Sequence, residues 1–318
     1  MTFKRRAVVD IGTNSVKLLV ADVAGREVKP VLEDSRQTRL GEGFYETHEL
    51  QPEPIKRTVK AIEEFLSIAH EQKAANVRLI ATSAARDAKN SRHLTGAIQK
   101  TSGLTVEIIS GGQEASWAFQ GVTSDPELAK CPLLLLDVGG GSTEFILGHG
   151  EQKDFQHSFA LGTVRLLETI RPSDPPTGDE FAKCRSWIRE FLQNEVRSRV
   201  QKELAAERKL SSGQHQVQLV GTGGTATILA RMEATIEDYD RTRIEATRLS
   251  LERIAFHAEK LWRLPLADRK TIIGLPPKRA DVILTGVAIY EAVMAEFGFV
   301  DLRVSTRGLR FAALMDGN

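Results

Sequence analysis

Short apolar runs interrupted by polar turns predict the strands of this chain. Ala7–Val23 and Leu133–Leu147 each contain two apolar runs joined by a turn rich in glycine and small polar residues. This pattern is typical of a strand, a tight turn and a second strand. Further apolar runs predict strands at Val77–Ala81, Val106–Ile109, Val217–Val220 and Leu302–Ser305.

Apolar positions repeated every three or four residues predict helices between these strands. One begins at Pro54, since proline suits a first helical turn. Thr177 and Glu180 have the spacing of a capping box at the start of a long helix. The other predicted helices cover about 114–120, the segment after Thr227, Ser250–Trp262, Lys278–Phe297 with Gly298 as its C-cap, and a terminal segment through about Met315. Because strands and helices alternate, the fold class is α/β.

The two hairpins align without a gap. Asp10 matches Asp137, Gly12 matches Gly139 and Ser15 matches Ser142 in the repeated turns. The same arrangement at the head of each half predicts a duplicated α/β lobe. A proline-bearing segment between the halves, Pro126–Pro132, has the character of a linker.

Composition places the chain among ordinary folded proteins. Its 318 residues are enough for two domains, and its net charge of +1 does not favour DNA as a partner. Its two cysteines, Cys131 and Cys184, have no metal-ligand spacing. No run reaches the ~20 apolar residues of a membrane span, and no signal peptide core is present. We therefore expect a cytoplasmic protein with no DNA or membrane partner.

Three glycine-rich turns indicate phosphate binding. Glycine lets the backbone approach closely, and turn amides can then donate to phosphate oxygens. In the first two turns a carboxylate, Asp10 or Asp137, ends the strand that feeds the turn and could hold a cation or its water. The third turn, Gly221–Thr227, follows a strand and opens a helix. Any one of these turns could be only a turn; the two matched copies and the third favour a site.

Other phosphate motifs are absent from the sequence. The first two turns return into strands, unlike a dinucleotide-binding fingerprint, and no Walker A sequence occurs.

Two glutamates could carry chemistry. Glu114 lies at a predicted helix start. Its carboxylate could deprotonate water, or it could only interact favourably with the helix dipole. Glu144 follows the second turn and could be only a solvent-facing strand residue.

Six motifs occur in one order and carry a family resemblance. They are Asp10–Ser15, Ala81–Arg86, Ser110–Ala115, Asp137–Glu144, Gly221–Thr225 and Arg279–Asp281. Together they resemble the exopolyphosphatase and guanosine pentaphosphate phosphohydrolase family over about residues 5–315. The resemblance implies a duplicated actin-like (ribonuclease H-like) ATPase fold, with two lobes and an interdomain cleft. It divides the chain into domain I at 1–124, with a terminal helix at 306–318 packing back on it, and domain II at 125–305.

The resemblance also assigns roles to the motif residues. Glu114 would be the catalytic carboxylate, acting with Asp137, Glu144 and Arg86, and Arg86 would neutralise a substrate phosphate. Asp137, Glu144 and Asp10 would hold Mg²⁺, or Mn²⁺ in its place. The substrate phosphates would lie on Asp10, Gly12, Thr13, Asn14, Ser15, Gly139, Gly140, Gly141, Ser142, Thr143, Gly223, Gly224 and Thr225. Cations in or near the motifs are candidates for a path along the substrate: Lys17, Arg39, Arg86, Arg165 and Arg279. Each of them except Arg86 could instead form only a surface or structural ion pair.

The implied activity is removal of the terminal phosphate from polyphosphate, with guanosine pentaphosphate as a second substrate. An actin-like kinase or ATPase, and a sensor that binds phosphate or a nucleotide without turnover, stay open as alternatives. The C-terminal His-Asp-type domain of longer relatives is not found here, so we expect a preference for shorter chains or weaker processivity. The resemblance also implies a homodimer.

Overall fold

The computed structural model describes residues 2–210 and 216–316. The chain divides into two compact units. The first comprises Met1–Ser124 with Gly308–Asn318, and the second comprises Asp125–Arg307. Each unit has its own sheet and its own hydrophobic core.

The first unit alternates strands and helices after an opening three-stranded meander. Its elements are β1 (Lys4–Ile11), β2 (Val16–Ala24), β3 (Glu27–Arg36), α1 (Phe44–Thr47), α2 (Pro52–Glu71), β4 (Asn76–Ala81), α3 (Ser83–Asp87), α4 (Ser91–Ser102), β5 (Val106–Ile108) and α5 (Gly111–Val122).

The strands of the first unit form a mixed sheet in the order β3-β2-β1-β4-β5. β1, β2 and β3 pair antiparallel, whereas β4 runs parallel to both β1 and β5. Ile11 lies beside Ala81, and Ala81 lies beside Ile108, so three parallel strands end at one edge. Segments that follow such strand ends are where open α/β sheets place ligands.

Both faces of this sheet are covered. Val9, Leu18 and Leu79 belong to the cluster that includes α2 and α4 residues, whereas Val8 and Leu19 belong to the cluster on the other face. Successive strand residues point to opposite faces, so the continuous apolar run of β1 supplies both. The terminal helix, Leu309–Met315, lies in the second cluster.

The second unit repeats this plan with additional helices. Its elements are α6 (Pro126–Ala129), β6 (Leu133–Val138), β7 (Thr143–His149), β8 (Gln152–Phe159), α7 (Thr163–Ile170), α8 (Gly178–Phe191), α9 (Arg197–Leu210), β9 (Gln218–Thr222), α10 (Gly223–Glu233), α11 (Arg241–Ala246), β10 (Arg248–Ser250), α12 (Leu251–Arg263), α13 (Leu266–Arg269), α14 (Ile283–Phe297) and β11 (Asp301–Val304). A π-helical turn, Leu192–Val196, joins α8 to α9, and a 3₁₀ turn spans Pro277–Arg279. The terminal helix of the first unit is α15.

The sheet of the second unit has the order β10-β11-β9-β6-β7-β8. β6, β7 and β8 pair antiparallel, and β9 runs parallel to β6 and β11. From β8 to β11 this is the order and direction of the first sheet. The predicted α/β class and the duplicated actin-like fold are therefore confirmed.

Several predicted elements differ in extent from the observed ones. α2 begins at Pro52, two residues before Pro54. The helix predicted from Lys278 begins only at Ile283, after the 3₁₀ turn. The capping box of Thr177 and Glu180 is present, and Gly298 caps α14 in a left-handed conformation. Within the described ranges no helix combines the length and apolar character needed to span a membrane.

Candidate functional site

The first glycine turn is a buried and tightly closed segment between β1 and β2. The Gly12 amide donates to the Ser15 carbonyl at 3.0 Å, and Thr13, Asn14 and Ser15 are all buried. The Thr13 carbonyl accepts the Gly41 amide at 2.8 Å. Within the described ranges the amides of Thr13 and Asn14 donate to no protein acceptor. They are therefore available to a phosphate oxygen.

Asp10 brings a buried carboxylate to this turn. It is only 6% exposed, and its Oδ1 accepts no hydrogen bond within the described structure. Burial raises the pKa of Asp10, and the charges of Lys17 and Arg310 oppose that rise. An orphaned buried carboxylate oxygen has a cost that a cation or a donor from a ligand would remove.

Arg86 and Glu114 lie on helices that follow the other two parallel strands. α3, which carries Arg86, follows β4, and α5, which carries Glu114, follows β5. The amide of Thr82 donates to the Ile11 carbonyl at 3.2 Å, which ties the end of β4 to the end of β1. The structure therefore brings these two side chains to the sheet edge that also carries the Asp10–Ser15 turn.

The carboxylate of Glu114 is 8% exposed and is held by a guanidinium. Arg86 Nη1 donates to Glu114 Oε2 at 2.8 Å, and the same nitrogen lies 3.4 Å from the Ile109 carbonyl. The N-cap of α5 is Ser110, whose hydroxyl accepts the Gln113 amide at 3.1 Å. Glu114 thus has a specific charged partner in addition to the favourable dipole of a helix start.

The second glycine turn closes in the same way as the first. The Gly139 amide donates to the Ser142 carbonyl at 2.9 Å. The Gly140 carbonyl accepts the Val164 amide at 2.8 Å, and the Gly141 carbonyl accepts Arg165 Nε at 2.9 Å. In the part of the chain that the structure describes, the amides of Gly140 and Gly141 have no protein acceptor. Arg165, predicted as a substrate cation, thus braces the turn.

Asp137 packs against the third turn. Gly223 begins α10 with φ of +81°, and a Cβ on it would lie 2.3 Å from Asp137 Oδ1. Only glycine meets both conditions, a left-handed backbone and direct contact with a carboxylate. The pairing of Asp137 with Thr222 in the parallel β6–β9 ladder brings the second and third turns together.

Glu144 is buried, so its interpretation as a solvent-facing strand residue is wrong. It is 1% exposed and lies directly opposite Asp137 in the β6–β7 ladder. Its Oε1 accepts the Ser142 hydroxyl at 2.8 Å and the Ser158 hydroxyl at 2.7 Å. Sequence reasoning missed Ser158, because its strand β8 has a mostly polar pattern that gave no signal.

Two further predicted phosphate ligands, like Ser142, use their hydroxyls within the protein. Thr143 Oγ1 donates to the Leu161 carbonyl at 2.5 Å, and Thr225 Oγ1 lies 3.4 Å from the Val138 carbonyl. Both side chains are buried. They support the turns, and only their backbone groups could meet a ligand. Arg279 lies against Gly224, since a Cβ on Gly224 would be 3.1 Å from Arg279 Nη2.

The carboxylates suit a cation that takes most of its ligands from water and from substrate phosphates. Across residues 2–210 and 216–316, no three His, Cys, Asp or Glu side chains converge as metal ligands. Mg²⁺ commonly uses one or two protein carboxylates and completes its octahedron with water and substrate phosphates. The orphaned Oδ1 of Asp10 and the adjoining pair of Asp137 and Glu144 fit that donor chemistry. Metal binding by these residues stays a prediction.

Comparison with known proteins places this chain in a family. The model of the Ppx/GppA phosphatase family matches residues 19–316, and the chain belongs to that family. It is 34% identical to exopolyphosphatase 2 of Mycobacterium tuberculosis over 307 residues, covering 93% of this chain and 92% of that protein.

Solved structures agree with this assignment. A Ppx/GppA family member from Aquifex aeolicus matches with a TM-score of 0.75 and 30% identity over 98% of this chain and 97% of that one. An exopolyphosphatase from Cytophaga hutchinsonii matches with a TM-score of 0.83 and 26% identity over 98% and 96%. The family predicted from the six motifs is therefore confirmed.

Proposed function

We propose that this protein is an exopolyphosphatase, which hydrolyses the terminal phosphoanhydride of polyphosphate and releases orthophosphate. The observation that carries the proposal is the buried Glu114 carboxylate held by Arg86 at the sheet edge that also bears the Asp10–Ser15 turn. The relatives named exopolyphosphatase support the substrate class.

Glu114 would act as the general base. Its carboxylate accepts a proton from the attacking water as the phosphorus–oxygen bond of the terminal anhydride breaks. Arg86 would fix the direction of that carboxylate through its hydrogen bond. Guanidinium groups bind phosphate oxygens well, so Arg86 would also contact a phosphate of the substrate.

The glycine turns would bind the phosphate oxygens through backbone amides. Charge spreads over the departing phosphoryl group in the transition state, so fixed donors stabilise it without reorganisation. The amides of Thr13 and Asn14 in the first unit, and of Gly140 and Gly141 in the second, are the available donors within the described residues.

Mg²⁺, or Mn²⁺ in its place, would be held in the second unit by Asp137, with Glu144 beside it; Asp10 is the corresponding carboxylate of the first unit. Bound there, the cation would neutralise charge on the phosphate chain. Glu144 Oε1 is already occupied by two hydroxyls, so we assign it mainly to orienting the groups around Asp137.

A side-by-side assay tests this function. Phosphate release is measured from short polyphosphate, long polyphosphate, guanosine pentaphosphate and ATP, with Mg²⁺, with Mn²⁺ and with a chelator, and without any phosphate acceptor. We expect metal-dependent release from polyphosphate, with guanosine pentaphosphate a slower substrate. Turnover that requires an acceptor would identify a kinase instead, and binding without release would identify a sensor. The homodimer and the cytoplasmic location stay predictions.

A further inference from the structure

A cavity of about 890 Å³ lies in the second unit, at the amino ends of β9 and β11. Its lining includes the buried apolar side chains of Val217, Leu219 and Phe299. The Gly221–Thr225 turn follows the opposite, carboxyl end of β9. With ~3.3 Å per strand residue, about four residues separate the two ends by ~13 Å. The cavity is therefore distinct from the glycine turns of this unit.

Three arginines line this cavity and leave it strongly positive. They are Arg208, Arg248 and Arg303, and the carboxylate among the lining residues is Asp301. Within the described ranges none of the three guanidinium groups forms a salt bridge. Their hydrogen bonds go to neutral oxygens instead: Arg208 to the Phe297 carbonyl at 2.8 Å and Arg248 to the Glu245 carbonyl at 2.9 Å.

Two of these arginines are direct cross-strand neighbours. Arg248 on β10 pairs with Arg303 on β11. Like charges at opposed strand positions destabilise a sheet. Burial and the charge of Arg303 both lower the pKa of Arg248, against the opposing effect of Asp301. An anion between the two guanidinium groups would relieve this repulsion.

We propose that this cavity binds an inorganic oligophosphate, as a second contact for the polymer away from the glycine turns. This inference rests on the proposed function for the identity of the ligand. Guanidinium groups bind phosphate oxygens through paired N–H donors, and three of them suit consecutive phosphates. Arg208 covers the buried ring of Phe299 at 4.9 Å, which leaves that ring closed to base stacking. A charged chain without bases therefore fits better than a nucleic acid, which commonly stacks on aromatic rings.

Binding in this cavity would tether the polyphosphate chain to the enzyme between successive cleavages. A polymer held at a second point stays at high effective concentration after each cleavage, which raises its apparent affinity without a new catalytic group. Long chains should gain from this contact, whereas a ligand of one phosphate should not bridge to the turns.

The test compares Arg248→Gln/Arg303→Gln with a matched control, Arg189→Gln/Arg263→Gln. The control also removes two positive charges, but from exposed positions outside the cavity. Calorimetry measures the binding of long polyphosphate, tripolyphosphate, orthophosphate and single-stranded RNA. A metal chelator is present, so that the polymers are bound without being hydrolysed. Thermal unfolding of each variant checks that it is folded.

We expect the cavity variant to bind long polyphosphate about tenfold more weakly or worse, because charge-assisted hydrogen bonds are lost. The control should change by less than about threefold, since Arg189 and Arg263 do not line the cavity and act on the polymer only through screened, long-range attraction. Turnover of tripolyphosphate at saturation should be unchanged in both. Equal losses in the two variants, or no loss in either, would overturn the proposal.

The other ligands distinguish polyphosphate from orthophosphate and RNA as the occupant of the cavity. They also separate the cavity proposal from the proposed exopolyphosphatase function. Loss of orthophosphate binding with unchanged polymer binding would make the cavity a product site and would refute tethering. RNA binding as tight as polyphosphate binding would refute the ligand assignment. If the wild type releases no phosphate from polyphosphate, the proposed function fails, while the binding comparison still decides whether the cavity holds oligophosphate.

Discussion

Arg86 Nη1 lies 2.8 Å from Glu114 Oε2, so the predicted base and the predicted phosphate-binding cation are hydrogen-bonded to each other. Both side chains are largely removed from solvent, at 21% and 11% side-chain exposure. A guanidinium beside a carboxylate limits the directions in which that carboxylate can point. Arg86 therefore orients the Glu114 carboxylate.

The first prediction concerns the base itself. Glu114→Gln keeps the shape and a hydrogen-bonding oxygen for Arg86 but cannot accept a proton from water. We expect phosphate release from polyphosphate to fall by at least about a hundredfold, the usual contribution of a general base. Binding of polyphosphate, measured by calorimetry, should be retained. Near-normal turnover would show that another group activates the water.

The second prediction separates orientation from substrate binding at Arg86. Arg86→Lys keeps the charge but loses the planar guanidinium whose Nη1 contacts both Glu114 and the Ile109 carbonyl. We expect kcat to fall about tenfold with little change in KM, because the base is misaligned while the charge remains. A rise in KM at constant kcat would instead place Arg86 on the ground-state substrate.

The third prediction concerns the contact between Gly223 and Asp137. Gly223→Ala places a methyl group where Asp137 Oδ1 now lies, at a φ of +81°. The backbone alone should cost about 1–2 kcal/mol of unfolding free energy, and the displaced carboxylate should lower activity further. Chemical denaturation and phosphate release measure the two effects.

A matched control exists for that variant. Gly178, like Gly223, is the first residue of its helix, but a Cβ there meets nothing within 4 Å. Gly178→Ala should leave activity unchanged and should not lower stability, since alanine reduces the entropy of the unfolded chain. Equal losses in both variants would argue against a specific role for the Asp137 contact.

The fourth prediction is a pH dependence of stability set by Asp10. Burial raises the pKa of Asp10 in the folded state above its ordinary value of 3.8. The folded protein then binds more protons than the unfolded chain at pH values between the two, so this group lowers stability as pH rises through that window. Asp10→Asn should remove this dependence.

We therefore expect Asp10→Asn to raise the free energy of unfolding at pH 7 by about 1 kcal/mol, in the range of other substitutions that relieve functional strain. The difference from wild type should shrink as pH falls below 3.8, where Asp10 is protonated in both states. Urea denaturation at several pH values measures it. Activity should fall in the same variant, and a variant less stable at pH 7 would contradict the buried-charge argument.

The sequence by itself determined the repeated hairpins, the α/β class and the family. Apolar runs around glycine turns are local patterns, so β1 with β2 and β6 with β7 could be predicted from neighbouring residues. The strands it missed, β3, β8 and β10, lie at sheet edges. β3 contains Pro30 and mostly exposed side chains, a composition that an edge strand tolerates and that gives no apolar run.

Only the tertiary structure decided how the motif residues meet. Arg86 and Glu114 are 28 positions apart, and Ser158 reaches Glu144 across a strand pair, so no local pattern records either contact. The same holds for the like-charged pair of Arg248 and Arg303, which the β10–β11 register sets side by side. Local periodicity fixes which elements form, because it acts on adjacent residues. Side-chain partners depend on register and packing between distant segments, which the folded chain alone establishes.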